Sequence, residues 1–121
     1  MIVVFAMEIV QPYLAGVSSL PVVSKVPRKR PPAFIRVDTG PPRRRTLVTD
    51  ETLVIIQVYG PGLDMVLGEI EALREAMFEF DGKDNRVLDW EEDSGPHEWP
   101  DPDLDSTIRW QFTGRLTQAL Q

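Results

Sequence analysis

Cysteine is absent from this 121-residue chain, and histidine occurs once, as His97. The first absence excludes disulfides and thiolate chemistry. Together the two leave a structural zinc site almost without ligands. No apolar run approaches the roughly 20 residues that span a bilayer as a helix. The opening Met1-Ile2-Val3-Val4-Phe5-Ala6-Met7 looks like the apolar part of a signal peptide, yet it lacks a basic start and meets Glu8 and Pro12 early. A soluble cytoplasmic protein is the default expectation.

Motifs that carry chemistry are equally scarce. Gly60-Pro61-Gly62 lacks the Lys and Ser/Thr that complete a phosphate loop. Ser18, Ser19, Ser24, Ser94 and Ser106 have no nucleophile elbow around them, and only His97 is available as a base. Asp101, Asp103 and Asp105 alternate as carboxylates do in calcium loops. The sixth-position glycine and the late glutamate of such a loop are missing, and Pro100 and Pro102 stiffen the strip. No cofactor is expected, and none of these residues reads as catalytic.

What is present is a globular composition with its charge sorted along the chain. Hydrophobic residues make up 42% of the sequence, ordinary for one folded domain, and 121 residues leave room for a single core. Residues 1–60 carry eight Lys/Arg against four Asp/Glu, a net of +4. Residues 61–121 carry five against fifteen, a net of −10. The basic charge clusters in Arg28-Lys29-Arg30 and Arg43-Arg44-Arg45; the acidic charge clusters between Asp89 and Asp105. Two solvated loops would explain this, and so would a surface that meets its complement on another molecule. The aromatics do not interleave with the arginines, so no base-stacking platform for nucleic acid is visible. Trp90 and Trp110 read as core. Trp99, in a proline-flanked loop, reads as either core-edge packing or an interface anchor.

Periodicity predicts the elements. Residues 4–19 supply apolar groups at three- and four-residue steps, a short helix that starts or kinks at Pro12. Val22–Val26 is a short strand, and 33–38 is a strand with Ala33, Ile35 and Val37 on one face. Thr52–Tyr59 is β-branched and apolar at nearly every position, as an interior strand requires. Leu63–Phe80 is an amphipathic helix with Leu63, Val66, Leu67, Ile70, Leu73, Met77 and Phe80 on its stripe. Arg86–Asp93 is a strand with Leu88 and Trp90 inward. Thr107–Leu120 alternates with a period of two, and Gly114 marks a bulge or bend. The expected fold is a single α+β domain over residues 1–121: a mainly antiparallel sheet of four to five strands with two helices packed on one face. Long loops are expected near 38–50 and 93–106.

Two short stretches resemble a known family. Phe34-Ile35-Arg36-Val37 is followed by Gly40-Pro41-Pro42 and an arginine-rich loop; Pro100-Asp101-Pro102-Asp103 leads into Ile108-Arg109-Trp110-Gln111-Phe112-Thr113. With the strand at 52–59 and one helix between them, and the Met-Ile-Val-Val-Phe opening, the chain resembles the tail terminator (minor tail) proteins of siphophages, actinobacteriophages in particular. Glu91-Glu92-Asp93 and His97-Glu98-Trp99 depart from that pattern.

The resemblance implies a non-enzymatic virion protein that forms a ring, commonly a hexamer. The ring would cap the tail tube, stop its polymerisation and join it to the head-completion (connector) proteins. Its implied place is the head-proximal end of the tail, assembled in the host cytoplasm. Its implied partners are copies of itself, the major tail tube protein and the connector. Neither a membrane nor a specific nucleic-acid sequence is implied, and the ring lumen leaves room for DNA to pass. The interface candidates are Arg28, Lys29, Arg30, Arg43, Arg44, Arg45, Glu91, Glu92, Asp93, Trp99, Asp101 and Asp103. The competing readings are a small adaptor domain of similar fold and a small hydrolase using carboxylates of the acidic loop.

Overall fold

The computed structural model describes residues 4–103 and 107–120. Its centre is the run that is richest in β-branched residues. Strand β4 (Thr49–Gly60) turns Val54, Ile56 and Val58 to one face, where all three are fully buried. It pairs along its whole length with β6 (Ile108–Ala119), antiparallel, from Thr49↔Ala119 to Gly60↔Ile108. On its other side β4 pairs first with β3 (Arg43–Thr46) and then with β2 (Phe34–Thr39). A two-residue strand, β1 (Val22–Val23), pairs in parallel with β2, and β5 (Val87–Glu98) pairs antiparallel with β6. The result is a six-stranded, mostly antiparallel sheet of order β1-β2-β4-β6-β5, with β3 sharing β2's side of β4.

Both helices cover one face. Helix α2 (Leu63–Phe78) buries Val66, Ile70, Leu73, Ala76 and Met77, and a single 3-10 turn (Phe80–Gly82) adds Phe80. Helix α1 (Ala6–Val17) buries Ala6, Ile9, Val10 and Leu14. All of these join one core cluster with Ile35, Val37, Val54, Ile56, Val58, Phe112 and Leu116 from the sheet. The helices lock to each other through Tyr13, whose ring stacks on Phe80 at 3.9 Å and whose hydroxyl donates to the Ala76 carbonyl at 2.6 Å. Burial, with the nearby Glu79 charge adding to it, raises the Tyr13 pKa above its ordinary value.

Several expectations are corrected. Helix α1 starts at Ala6, ahead of Pro12, and continues through it. Proline in a helix interior costs about 3 kcal/mol. Burying Ile9, Val10 and Leu14 on both sides of it returns roughly 1.5–3 kcal/mol each. Leu63 and Leu67, assigned to the buried stripe of α2, are exposed, because the helix turns that edge outward. Leu88 is 49% exposed while Val87 and Trp90 are buried. A register shift between Val87 and Asp89 inserts Leu88 as an extra residue and reverses the alternation there. Gly114 stays in register with Val54, and the bulge that begins at its pair with Glu92 lies in β5, where Asp93 is the extra residue. Gly114 also makes room: a Cβ there would clash with the Trp90 indole and come within 2.8 Å of the Glu91 carbonyl oxygen.

The expected loop at 38–50 is a strand-rich arm. Gly40 donates to the Leu53 carbonyl at 2.9 Å, continuing the β2 ladder. Pro41 and Pro42 have no N–H to donate and interrupt it, as edge prolines can. Pairing resumes at Arg43↔Glu51 and Arg44↔Asp50, and a two-residue turn at Leu47-Val48 leads into β4. The expected loop at 93–106 is also shorter, because β5 continues to Glu98. Pro96 falls where a further register shift takes it off the ladder.

Candidate functional site

Three features stand apart from the core. The first is the β3 arm, in which Arg43, Arg44 and Arg45 are all exposed. Arg44 is spoken for: its Nε donates to Asp50 Oδ1 at 2.7 Å, and Asp50 is only 5% exposed. Arg45 is the extra residue at a register shift between Arg44 and Thr46. The turn beyond presents Leu47 and Val48, 87% and 57% exposed. Thr46 Oγ1 accepts from the Val48 amide at 3.2 Å, and Leu120 donates to the Val48 carbonyl at 2.8 Å, so the apolar tip is held in place.

The second feature is the outer edge of β5. Asp89, Glu91, Asp93 and Glu98 are exposed along it. Glu92 points to the helix side instead, where Arg74 grips it with two hydrogen bonds of 2.7 and 2.9 Å. That hydrogen bonding raises the Arg74 pKa, with the Glu92 and Glu71 charges adding to it. β5 carries three one-residue register shifts against β6, the mark of a bulged edge strand.

The third is the sheet face that the helices leave open. Arg36, Asp38, Ile55, Gln57, Gln111 and Trp99 line a recess of about 220 Å³ there. Gln57 donates to Gln111 Oε1 at 2.8 Å, and the Arg36 Nε is buried without a hydrogen-bond partner. Arg109 holds the wall in place. It donates to the Trp99 and Pro100 carbonyls and, at 3.0 Å, to the Tyr59 hydroxyl. Its guanidinium also lies 5.5 Å from the centre of the Tyr59 ring and 3.6 Å from Asp101. Trp99 is 49% exposed and meets His97 edge-on at 5.8 Å.

The candidates from sequence thus separate. Trp99 and Asp101 come together around Arg109. Glu91 and Asp93 share the β5 edge, and Glu92 is withdrawn to α2. Arg28, Lys29 and Arg30 are exposed between β1 and β2, away from the β3 arginines in sequence, and enter no ion pair among the described residues. Asp103 is exposed, and its amide donates to Asp101 Oδ1 at 3.0 Å. Asp105 lies outside the described residues, and among those described no group of three His, Asp or Glu is placed to hold a metal ion. His97 Nδ1 lies 2.8 Å from the Gly95 carbonyl oxygen.

Arg109, Leu47 and Val48 were not singled out from sequence. The alternation of β6 places Arg109 on the polar face, a signal that was there to be read. Nothing local marks Leu47-Val48 as a turn, since Gly, Asn and Asp are all absent from it. What this arrangement offers is contact chemistry: guanidinium forks, carboxylates and exposed apolar groups. No helix among the described residues is long and apolar enough to cross a membrane. Compared with known proteins, the chain matches no protein-family model and no curated protein.

Proposed function

We propose that this protein is a tail terminator of a long-tailed phage, working by contact and without catalysis as one subunit of a ring. In this reading the ring is a hexamer at the head-proximal end of the tail, bound on one side to the tube and on the other to the connector. The observation that carries the reading is the β3 arm. Arg43 and Arg45, which enter no ion pair among the described residues, and an apolar Leu47-Val48 tip project from the sheet. An element of that kind is suited to a partner surface, since exposed apolar groups among fixed charges are what interfaces bury. The segregated charge of the chain supports the same reading, because in a cyclic ring each patch meets a different patch on its neighbour.

The test is assembly in vitro. Tail tube protein polymerised with increasing amounts of the purified chain should give shorter tubes carrying an added ring at one end by negative-stain imaging. Tube lengths that do not change at any ratio would refute the reading. The recess behind Trp99 favours a second reading, a small adaptor that holds one partner segment. A monomer that binds a single partner at a one-to-one ratio, with no effect on tubes, is its expected signature.

A further inference from the structure

We infer that copies of this chain join head to tail, with the β3 arm of one copy seated along the acidic outer edge of β5 of the next. This deepens the ring reading and rests on it. Two edges of the sheet are open: among the described residues β5, at one end, pairs only with β6, and β3, which lies off the main strand order on β2's side of β4, pairs only with β4. The two edges have opposite charge. Arg43 and Arg45 on one, and Asp89, Glu91, Asp93 and Glu98 on the other, enter no ion pair among the described residues.

That pattern selects the symmetry of the contact. A two-fold pairing of β3 with β3 would set arginine against arginine, and β5 with β5 carboxylate against carboxylate; like charges directly opposed destabilise a strand pair. Only the pairing of unlike edges brings opposite charges together. Each edge is thus protected against its own kind and complementary to the other, which is the condition for a heterologous contact.

Shape agrees with charge. The register shifts break β5 into short regular pieces, of which Asp89–Glu92 is the longest without a shift. It is as long as the four residues of β3. Beside it Leu88, 49% exposed at its bulge, supplies an apolar neighbour for Leu47 at the tip of the incoming arm. Because the contact lies at the surface, salt screens it over about 10 Å at 0.1 M.

A charge swap tests this. One variant carries Arg43→Glu and Arg45→Glu; Arg44 is left alone because Asp50 needs it. The other carries Asp89→Lys, Glu91→Lys and Asp93→Lys. Each alone has two edges of one sign, and in sedimentation velocity at low ionic strength each should associate at least about tenfold more weakly than wild type. Mixed in equal amounts, the two present complementary edges to each other and should recover association as alternating assemblies. Circular dichroism confirms that both variants fold. Variants that associate as tightly as wild type, or a mixture that stays dissociated, overturn this pairing while leaving the ring reading standing. Wild type that never associates, alone or on tubes, overturns both.

Discussion

Replacing Gly114 by alanine probes the tightest packing in the sheet. The added Cβ would clash with the Trp90 indole and come within 2.8 Å of the Glu91 carbonyl oxygen, so either the indole or the β5 backbone has to move. Trp90 is 7% exposed and meets Phe112 edge-on at 6.4 Å, which leaves it nowhere to go within the core. Overpacking of this kind costs about 1–3 kcal/mol. Full expulsion of the indole approaches the 3–5 kcal/mol typical of truncating a buried tryptophan. The expected loss for Gly114→Ala is therefore about 2–4 kcal/mol, a large part of the roughly 5–15 kcal/mol that holds a domain together. Urea unfolding followed by far-ultraviolet circular dichroism measures it. Trp90→Ala on its own should cost about 3–5 kcal/mol. In that background the ring clash is gone and only the Glu91 carbonyl contact remains, so Gly114→Ala should cost at least about 1 kcal/mol less than in wild type. Equal costs in the two backgrounds would refute the steric account.

Three further outcomes are expected. Arg44→Ala leaves the buried Asp50 carboxylate without its partner and should cost about 1–3 kcal/mol; adding Asp50→Asn should restore part of it, and a neutral single substitution would contradict the pairing. Arg109→Ala removes the donors that hold Trp99 and Pro100 to the sheet, so hydrogen exchange at the Trp99 amide should speed by at least about tenfold with little change in global stability; unaltered exchange would count against the clamp. Hydrogen bonding from Arg86 lowers the Asp84 pKa below its ordinary value. Asp84 therefore stabilises the fold above the usual carboxylate range and loses that contribution as pH falls through its depressed folded value. At this partly exposed site the contribution should stay below about 1 kcal/mol; Asp84→Asn should flatten that part of the acid limb of urea midpoints, and a steeper limb would show the sign to be wrong.

The elements that sequence revealed are those whose burial follows a clean period. Thr52–Tyr59, Leu63–Phe80 and Thr107–Leu120 each place apolar groups where a strand or helix needs them, and each is close to its observed position. What stayed hidden depended on neighbours. Arg43–Thr46 has no apolar alternation, because β3 is an edge strand whose side chains all face water, and only its pairing with β4 makes it a strand. The bulges of β5 reversed the alternation at Leu88, and β5's continuation through Ser94–Glu98, past Pro96, looks like a loop when read alone. The charged runs were legible as candidates. Which of those charges are already used inside the chain was not: Arg44 against Asp50 depends on the register of the β3–β4 hairpin, and Glu92 against Arg74 on how β5 packs beside α2.

The position of β6 has a consequence for how the domain is made. It follows every other strand in chain order, yet it lies between β4 and β5. Until it arrives, β5 has no strand partner among the described residues and β4 lacks the neighbour that pairs with all twelve of its residues. As the chain emerges from the ribosome, β2, β3 and β4 can form their hairpin-like arm early, but the core between sheet and helices closes only when the last strand inserts. Folding should therefore be a late, all-or-none event, with nascent chains that stop before Ile108 exposed to proteases and aggregation.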